Sequence, residues 1–368
     1  GCTTIITRRQ DWATTYLDEL KKEIALIASR IDLNRPVEQL HFGGGTPTFF
    51  SADSLRELGE VLRSTFRFAP DAECSIEIDP RVVSPEQVQV LADLGINRAS
   101  LGIQDTNTEV QEAGINDINL DLIYGLPRQT VATVEQTVKD VLELSPDRLS
   151  VFSYAHVPWI KPAQRIFDKR GQMPGPEDKL AMFGVIGRGL MKAGFVDVGL
   201  DHFARPDDPL AIARREGTLH RNFQGYSTKA GASLYAFGIS SISSSPDAYW
   251  QNPKSLSAYR EALQERRLPA EKGYRLTAED KRRRRLIMGI MCDRGLDFER
   301  LGREWDCRIT ETYAAELDSL VDLRKEGLVE WDESGLQVTP RGEPLLRVVA
   351  MAFDQTLVKK RQAHALTV

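Results

Sequence analysis

Apolar residues in the first part of the chain recur by turns at helical and at strand-like spacing. Residues 11–28 carry apolar side chains at roughly helical intervals, which predicts a helix, and a short strand is predicted at 37–42. The same alternation predicts further strands at 74–79, 98–103, 118–124, 148–154 and 195–200, and further helices starting at Ser51, Ser84, Thr130 and Glu177. Strands that alternate with helices in this way form a parallel sheet, either doubly wound or closed into a barrel.

The helix that begins after Ser84 has the clearest boundaries. Ser84 is a good N-cap, Pro85 suits the first helical position, and Gln87 can complete a capping box. Gly95 can end the helix in the left-handed conformation. Short-range signals therefore predict both ends of this helix.

Polar residues lie in or just past the carboxyl-terminal half of the predicted strands. They include Gly45, Thr46, Glu77, Gln104, Asp121, Tyr154 and Asp201. In a (β/α) barrel such strand ends converge on one mouth, where the chemistry is usually located. We therefore favour an α/β fold with a partial or full TIM-like (β/α) barrel.

The pattern changes after about Pro246, where helices and a small hairpin replace the strand–helix units. Helices are predicted at 277–288, 298–305 and 310–325, and strands at 328–331 and 336–338 flank a turn. Helices followed by such a hairpin resemble a winged-helix module. We therefore predict a catalytic barrel domain at 1–248 and a helical, winged-helix-like domain at 249–368.

Composition and charge argue against several classes of protein. Hydrophobic residues make up 41% and charged residues 27%, as in ordinary soluble proteins, and a net charge of −5 provides no general attraction to nucleic acid or an anionic membrane. No apolar run is long enough to cross a bilayer and no signal peptide opens the chain, so a cytoplasmic protein is expected. The basic run Lys281–Arg285 would point around most of a helix, which argues against DNA binding.

The four cysteines, Cys2, Cys74, Cys292 and Cys307, lack the spacing of metal ligands. We expect the last three to be small buried hydrophobic residues. By themselves they indicate neither a disulfide framework nor a metal site.

Two places in the sequence suggest absent residues. The chain begins Gly1-Cys2 without an initiator Met, so residues are expected before Gly1. The interval 105–117 is too short for a right-handed crossover between two parallel strands. A further stretch is therefore expected between Ala113 and Gly114.

Two motifs near strand ends are candidates for a binding site. The run Gly43-Gly44-Gly45-Thr46-Pro47 could let the backbone approach a ligand closely, or it could form a tight turn. Glu77 lies inside an apolar strand, where a carboxylate needs a cation or several hydrogen-bond donors. A bound ammonium or ribose would meet that need, and so would a structural arginine. Gln104 and Asp121 repeat the situation on later strands.

A second candidate region follows the last predicted strand of the barrel. His202, Arg205 and Arg221 accompany the segment 222–226, which contains an aromatic ring and amide side chains. Basic groups of this kind could hold a flat substrate that bears carboxylates. The alternative is an ordinary loop with surface salt bridges.

Taken together, these segments resemble the oxygen-independent coproporphyrinogen III oxidase family of the radical S-adenosylmethionine superfamily, over essentially the whole chain. The glycine-rich segment 40–48 is shared by radical S-adenosylmethionine enzymes generally, whereas Asp201–Asp208 is much more particular to this oxidase. The remaining matching segments are 1–2, 7–10, 75–80, 101–105, 118–127, 148–156 and 220–226.

The resemblance implies the cofactors and the reaction. A Cys-x-x-x-Cys-x-x-Cys loop holding a [4Fe–4S] cluster defines the family, and Cys2 matches the cysteine that trails it, so the ligands are expected upstream of Gly1. A 5′-deoxyadenosyl radical made from S-adenosylmethionine would convert two propionates of coproporphyrinogen III to vinyl groups, giving protoporphyrinogen IX in haem biosynthesis. An electron donor such as flavodoxin or a reductase is implied. Nothing in the sequence requires a dimer, so a monomer is expected.

The resemblance also implies individual site residues. S-adenosylmethionine would be contacted by Gly44, Gly45, Thr46, Glu77, Gln104, Asp121, Ala155 and Ile242. Phe223 and Gln224 would line the porphyrinogen pocket, and Arg205 and Arg221 are further candidates for propionate binding. The stretch expected after Ala113 would carry an arginine that contacts S-adenosylmethionine.

Three other functions remain open from the sequence alone. Haem chaperones share the barrel and the cluster but transfer haem, and the segment Asp201–Asp208 and the complete C-terminal module argue against them. A related radical enzyme opens haem by methylation and would release a methylated tetrapyrrole. A DNA-binding winged-helix regulator would show salt-sensitive binding to duplex DNA.

Overall fold

The computed structural model describes residues 9–79, 81–102, 114, 115, 117–159, 161–169, 171 and 173–355. Cys2, Gln104 and the junction after Ala113 lie outside these residues. The chain forms two compact units, of which the first contains residues up to Asp121 together with Gly231–Leu276. The second contains Leu122–Ala230 together with the residues from Thr277 onward.

The elements of the described residues follow the alternation that the sequence predicts. The strands are β1 (Val37–Phe42), β2 (Phe68–Ile78), β3 (Arg98–Gly102), β4 (Asp117–Tyr124), β5 (Arg148–Ser153), β6 (Val196–Gly199), β7 (His202–Ala204), β8 (His220–Arg221), β9 (Tyr226–Ser227), β10 (Ile242–Ser244), β11 (Ala248–Gln251), β12 (Lys272–Arg275), β13 (Gly295–Asp297), β14 (Val329–Trp331) and β15 (Gly335–Val338). The helices are α1 (Gln10–Ala28), α2 (Ala52–Thr65), α3 (Pro85–Asp93), α4 (Val131–Glu143), α5 (Arg165–Lys169), α6 (Pro176–Lys192), α7 (Pro209–Glu216), α8 (Leu256–Gln264), α9 (Ala278–Asp293), α10 (Phe298–Trp305), α11 (Ile309–Thr312), α12 (Ala314–Asp318), α13 (Val321–Lys325) and α14 (Leu346–Met351).

The large sheet has the strand order β1-β2-β3-β4-β5-β7-β6. Strands β1 to β4 pair in parallel, as predicted. Strand β4 runs through the division between the units, and its last residue, Tyr124, accepts a hydrogen bond from the Tyr154 amide just past β5. The fold is the predicted partial (β/α) barrel with a C-terminal helical domain.

The end of this sheet corrects one prediction. The segment 195–200 was predicted as a single strand of a parallel sheet, but β6 is followed at once by β7, which pairs antiparallel with both β5 and β6. Gly199 (φ 151°) and Leu200 (φ 52°) reverse the chain between the two strands. The reversal places Asp201 and His202 at the start of β7.

Helix α3 shows how a local signal also fixes a longer-range contact. Ser84 and Gln87 form the predicted capping box. The Gln87 amide also donates to the carbonyl oxygens of Thr48 (2.8 Å) and Phe50 (2.6 Å). Gln87 therefore anchors the segment that follows the glycine run.

A buried carboxylate ties α1 to the segment 231–276 within the first unit. Glu23, which is 1% exposed, accepts hydrogen bonds from the Gly238 amide (2.8 Å), the Asn252 side chain (2.6 Å) and the Tyr259 hydroxyl (2.6 Å). Burial raises the pKa of Glu23 in spite of these bonds. Tyr16 of α1 adds a hydroxyl that accepts from the Ile239 amide at 3.0 Å.

The predicted domain boundary at 248/249 falls within β11. Strands β10, β11 and β12 form one antiparallel sheet, in which the turn around Pro246 joins β10 to β11. The C-terminal helices begin only at α9, which Thr277 and Asp280 cap as the sequence predicts.

The C-terminal region contains a small sheet with the order β13-β15-β14 beside helices α9 to α14. The single helix predicted at 310–325 is instead divided into α11, α12 and α13. Tyr313, at the first break, is fully buried and packs against Trp305 and Phe353, so tertiary packing overrides the helical pattern there.

Two arginines of the basic run at 281–285 form ion pairs within the C-terminal region. Arg283 pairs with Glu279 and Glu316, and Arg285 pairs with Glu304. In the part of the chain that is described, none of the helices has the length and apolarity needed to span a membrane.

Candidate functional site

The glycine run forms an open turn at the end of β1. Gly44 (φ 79°) and Gly45 (φ 64°) adopt the left-handed conformation that glycine allows without strain. A Cβ atom at Gly43 would overlap the His41 imidazole, whereas one at Gly45 would meet no atom within 4 Å. The turn is therefore tight against the protein at Gly43 and open on the side of Gly45.

Glu77 faces this turn from the neighbouring strand β2. Its Oε2 accepts a hydrogen bond from the Gly44 amide at 3.1 Å, and its Oε1 lies 3.5 Å from Nε2 of His41. Nδ1 of His41 lies 2.9 Å from the Ser75 hydroxyl, which orients the ring. A structural arginine was one possible partner of Glu77 in the sequence analysis. The contacts of Glu77 in the structure are instead with an amide and an imidazole.

The carboxyl group of Glu77 is held as a carboxylate. Burial raises its pKa, but the hydrogen bond to His41, the charge of that ring and the Gly44 amide outweigh burial, so that the pKa lies below the ordinary value. The side chain is 45% exposed. A negatively charged acceptor is thus available beside the glycine turn.

Polar side chains continue from Glu77 across the next two strands. Glu77 is in register with Ser100, and Ser100 with Asn119. The Asn119 amide donates to Ser100 (2.8 Å) and to Asp121 (3.0 Å). Because paired residues share one face of a sheet, the predicted residues Glu77 and Asp121 lie on the same face. His41, Ser100 and Asn119 were not predicted from the sequence, although their alternate positions on the strands could have indicated them.

Two other predicted residues of the first unit are positioned by neighbouring elements. Thr46 precedes the short 3-10 turn Pro47–Phe49 and accepts a hydrogen bond from the Phe49 amide at 2.9 Å. Ile242 lies on β10 and is in register with Gln251 of β11. The contacts to Glu23 described above hold the segment that carries Ile242.

In the second unit, Ala155 is exposed directly after β5. The Gln164 amide donates to the Ala155 carbonyl (3.1 Å) and to the Tyr154 hydroxyl (2.9 Å). Lys179 of α6 donates to the Tyr154 carbonyl at 3.3 Å, and burial lowers the pKa of this lysine. These side chains fix the backbone that presents Ala155.

Asp201 lies between two basic side chains. Its Oδ1 is 2.7 Å from Nδ1 of His202, and its Oδ2 is 3.0 Å from Nη2 of Arg347 on α14. Burial raises the pKa of Asp201, but the hydrogen bond to His202 and the charges of His202, Arg347 and Arg221 lower it below the ordinary value. Arg347 lies far along the chain from Asp201, and no local sequence pattern indicates its role.

The hairpin of β8 and β9 presents two of the predicted substrate residues. Phe223 and Gln224 are exposed in its loop, and Phe223 is 68% exposed. The Asn222 side chain accepts from the Gln224 amide (2.8 Å) and holds the loop closed. Arg221 lies at the base, with its guanidinium 4.9 Å from the centre of the Tyr226 ring.

Arg205, the other arginine predicted to bind propionate, contacts side-chain and backbone atoms of the protein. The guanidinium of Arg205 packs 4.5 Å from the centre of the Phe195 ring, and its Nε donates to the Pro146 carbonyl at 3.2 Å. Asp208 caps α7 and pairs with buried Arg148 at 2.7 Å. Much of the segment 201–208 therefore stabilises the fold, and Arg205 remains only a prediction for substrate binding.

The cofactors place different demands on these residues. S-adenosylmethionine carries an ammonium and a carboxylate, and the open glycine turn beside an anionic Glu77 fits its ammonium group. For a [4Fe–4S] cluster, the described residues contain no group of three or more His, Cys, Asp or Glu side chains that could hold a metal. Cys74 and Cys292 are buried, as expected, whereas Cys307 is only partly buried. Burial raises the pKa of the Cys74 and Cys292 thiols.

Two family models match this chain. The radical SAM superfamily matches residues 12–114, which include the glycine turn and Glu77. The HemN C-terminal domain matches residues 276–345.

Individual proteins match over nearly the whole chain. Two curated relatives named oxygen-independent coproporphyrinogen III oxidase are similar: that of Synechocystis is 41% identical over 98% of this chain and 82% of its own, and that of Escherichia coli is 42% identical over 98% and 83%. The solved structure of the Escherichia coli coproporphyrinogen III oxidase, described as a radical SAM enzyme, superimposes with a TM-score of 0.91 at 41% identity, covering 97% of this chain and 86% of that one.

Proposed function

This chain belongs to the oxygen-independent coproporphyrinogen III oxidase family, and we propose that it catalyses the oxidation of coproporphyrinogen III to protoporphyrinogen IX. It is a radical SAM oxidoreductase, whose cofactors are a [4Fe–4S] cluster and S-adenosylmethionine. In the proposed reaction each of two propionate side chains gives up one hydrogen atom, one molecule of carbon dioxide and one electron, and a vinyl group remains.

The observation that carries this proposal is the pairing of Glu77 with the Gly44 amide at the open glycine turn. S-adenosylmethionine bound at the cluster supplies the radical that abstracts hydrogen. This chain would hold it through the free lone pairs of Glu77, which can accept from its ammonium group, and through the backbone of Gly44 and Gly45. His41 orients the Glu77 carboxylate, and Gly43 leaves room for that imidazole.

The other residues predicted to contact S-adenosylmethionine remain proposals, each within its own unit. Thr46, Asp121, Ala155 and Ile242 are described and Gln104 is not. Asp121 shares the face of Glu77 and offers a second carboxylate for the hydroxyl groups of a ribose. Because the cluster ligands are not among the described residues, no step at the cluster is assigned to this part of the chain.

Substrate binding is assigned to the hairpin of the second unit. Phe223 offers an exposed ring to a tetrapyrrole, and Gln224 offers an amide. Nη1 of Arg221 is buried and has no hydrogen-bond acceptor among the described residues. A propionate that reached it would satisfy a donor that the described part of the protein leaves unpaired.

The proposed enzyme requires an external electron donor, for which a flavodoxin or a reductase is suitable. We further propose that it acts as a cytoplasmic monomer. Its electron acceptor must take up one electron for each vinyl group formed, since each decarboxylation releases one.

The test is anaerobic reconstitution of the full-length protein with iron, sulfide, a reductant, S-adenosylmethionine and coproporphyrinogen III. Formation of 5′-deoxyadenosine together with protoporphyrinogen IX is expected. A preparation that binds haem tightly and forms no vinyl product would instead identify a haem chaperone. A methylated tetrapyrrole would identify the haem-opening reaction.

A further inference from the structure

The hydrogen bonds of Ser75 determine which ring nitrogen of His41 carries a hydrogen atom. Nδ1 of His41 lies 2.9 Å from the Ser75 hydroxyl, and that hydroxyl donates to the Leu40 carbonyl at 3.3 Å. Because a hydroxyl has only one proton to donate, its oxygen must accept the hydrogen bond from His41. Nδ1 of His41 is therefore protonated, and strands β1 and β2 fix this tautomer.

The other ring nitrogen of His41 faces a carboxylate. Nε2 lies 3.5 Å from Oε1 of Glu77, whose pKa lies below the ordinary value. A neutral ring with its hydrogen on Nδ1 would turn the lone pair of Nε2 toward this negative oxygen. Only the imidazolium ion, with a hydrogen on both nitrogens, can donate to Glu77. The contact is therefore that of a cation with an anion.

The charged groups that face His41 from the paired strand β2 are two glutamates. His41 is in register with Ser75. Glu73 and Glu77, two residues to either side of Ser75, therefore lie on the same face. Glu73 is paired with Arg98 at 3.2 Å. In the part of the chain that the structure describes, the cation that Glu77 contacts is His41.

This ion pair lies directly beneath the glycine turn. A Cβ atom at Gly43 would overlap Nε2 of His41 and would lie 2.9 Å from Oε1 of Glu77. The ammonium group of S-adenosylmethionine, which we assign to Glu77, would therefore approach a carboxylate that already has a cation beside it. Two cations at one carboxylate repel each other, which disfavours the protonated form of the one that can lose its proton.

We propose that protonated His41 and the ammonium group of S-adenosylmethionine compete for Glu77, and that His41 releases its Nε2 proton to solvent when the cofactor binds. This inference rests on the proposed function and adds regulation by pH to the same site. Because linkage is reciprocal, a proton that opposes binding of the cofactor is itself expelled by the cofactor. The affinity for S-adenosylmethionine should therefore rise across about pH 5–8, the range in which imidazole changes charge.

The test measures proton release when a ligand binds to the full-length protein with its cluster reconstituted. S-adenosylhomocysteine has the same ammonium group but is not cleaved, and it is titrated calorimetrically near pH ~6 in buffers of different ionisation enthalpy. The wild type is expected to release up to about one more proton than His41→Gln, because glutamine can donate to Glu77 but does not ionise. The ratio of the wild-type affinity to that of His41→Gln should rise about tenfold between about pH 6 and about pH 8.

Three controls show whether the proton comes from His41. His41→Asn does not ionise either and can keep the hydrogen bond to Ser75, so it should behave like His41→Gln. His220→Gln, which changes a partly buried histidine of β8, should release as many protons as the wild type. Binding of 5′-methylthioadenosine, which lacks the ammonium group, should release none. Equal release by the wild type and both His41 variants would overturn the proposal, and so would release with 5′-methylthioadenosine.

These results can be separated from those on the proposed function, because binding requires neither turnover nor a tetrapyrrole. If His41 accounts for the additional proton but no vinyl product forms, the assigned reaction fails and the competition for Glu77 stands. If the wild type forms protoporphyrinogen IX but releases no more protons than the two His41 variants, only the competition fails.

Discussion

The glycine turn of the first unit and the hairpin of the second unit are held in different ways. Glu77 and Gly44 meet because the parallel strands β1 and β2 end side by side. The hairpin is held by distant parts of the chain, because Tyr226 donates to the Met291 carbonyl and also packs against His202, the neighbour of Asp201. Asp201 in turn pairs with Arg347. The turn therefore depends on local strand geometry, whereas the hairpin depends on the C-terminal region.

This difference has a functional meaning. The radical SAM superfamily model matches residues 12–114, which include the glycine turn, and the HemN C-terminal model matches residues 276–345, which include Met291 but not Arg347. In the proposed assignment, a turn that depends on neighbouring strands holds the cofactor and can serve many substrates. A hairpin held by the C-terminal region, which we propose binds the substrate, can be specific to one of them.

The largest expected effect concerns Glu23, and it tests whether the first unit depends on contacts between distant parts of the chain, unlike the glycine turn. Glu23→Ala would leave the Gly238 amide, the Asn252 amide and the Tyr259 hydroxyl without their acceptor. We expect it to lower the free energy of unfolding by about 4 kcal/mol, because a buried donor that loses its partner costs about 1–3 kcal/mol. Chemical denaturation of the full-length protein measures this change.

The control for this prediction is Glu60→Ala, an exposed glutamate on α2. It is expected to change stability by less than about 0.5 kcal/mol. Glu23→Gln should cost less than Glu23→Ala, because the amide keeps one oxygen acceptor and removes a buried charge. Equal stability of Glu23→Ala and the wild type would show that the segment 231–276 is held by other contacts.

The next effect concerns the turn itself. Glu77→Ala is expected to lower 5′-deoxyadenosine formation without tetrapyrrole about 100-fold, equivalent to about 2.7 kcal/mol, as expected for a lost charged hydrogen bond. Glu86→Ala, which changes an exposed glutamate on α3, is the control and should form 5′-deoxyadenosine at the wild-type rate. Cleavage of S-adenosylmethionine at the wild-type rate by Glu77→Ala would remove Glu77 from the cofactor site.

A smaller effect is expected at the hairpin. Phe223→Ala should raise the KM for coproporphyrinogen III about tenfold, because an exposed ring that the substrate covers contributes about 1.5 kcal/mol. Formation of 5′-deoxyadenosine without tetrapyrrole should not change. Leu180→Ala, at another exposed apolar residue of the second unit, should change neither quantity. If Phe223→Ala impaired both assays equally, the two regions would not have separate roles.

The distinction between local and distant contacts also explains how much of the fold could be predicted from the sequence. The capping box at Ser84 and Gln87 depends on residues three apart, and it was predicted correctly. The reversal at Leu200 was missed because its positive φ carries no local signal in a leucine. The division of the helix near Tyr313 was missed because the packing of that ring involves distant residues.

The residues of the candidate site were likewise predictable where a local signal marks them and not where distant contacts decide their role. Gly44 could be selected because it belongs to a glycine run after a strand, and Glu77 because it interrupts an apolar strand. His41 lies on β1 and Asn119 on β4, and their roles depend on strand register, which the sequence does not show.

The smallest expected effect tests the support of the hairpin by the C-terminal region. Arg347→Gln removes one of the two basic partners of Asp201, and we expect the KM for coproporphyrinogen III to rise about threefold, equivalent to about 0.7 kcal/mol. The effect should be modest because Arg347 is 45% exposed, and exposed ion pairs contribute about 0–1 kcal/mol. Arg308→Gln, which removes an exposed pair with Glu311, should leave the KM unchanged.

The pH dependence of stability provides an independent check on Arg347. Because the pKa of Asp201 is lowered in the folded protein, its ionised form stabilises the fold above the ordinary aspartate pKa of about 3.9, and this contribution is lost as the pH falls through the folded value. The difference in Tm between the wild type and Arg347→Gln should therefore be present at neutral pH and disappear in strong acid. A difference that stayed constant down to acid pH would mean that Arg347 acts through packing, and that the hairpin does not depend on the charge of Asp201.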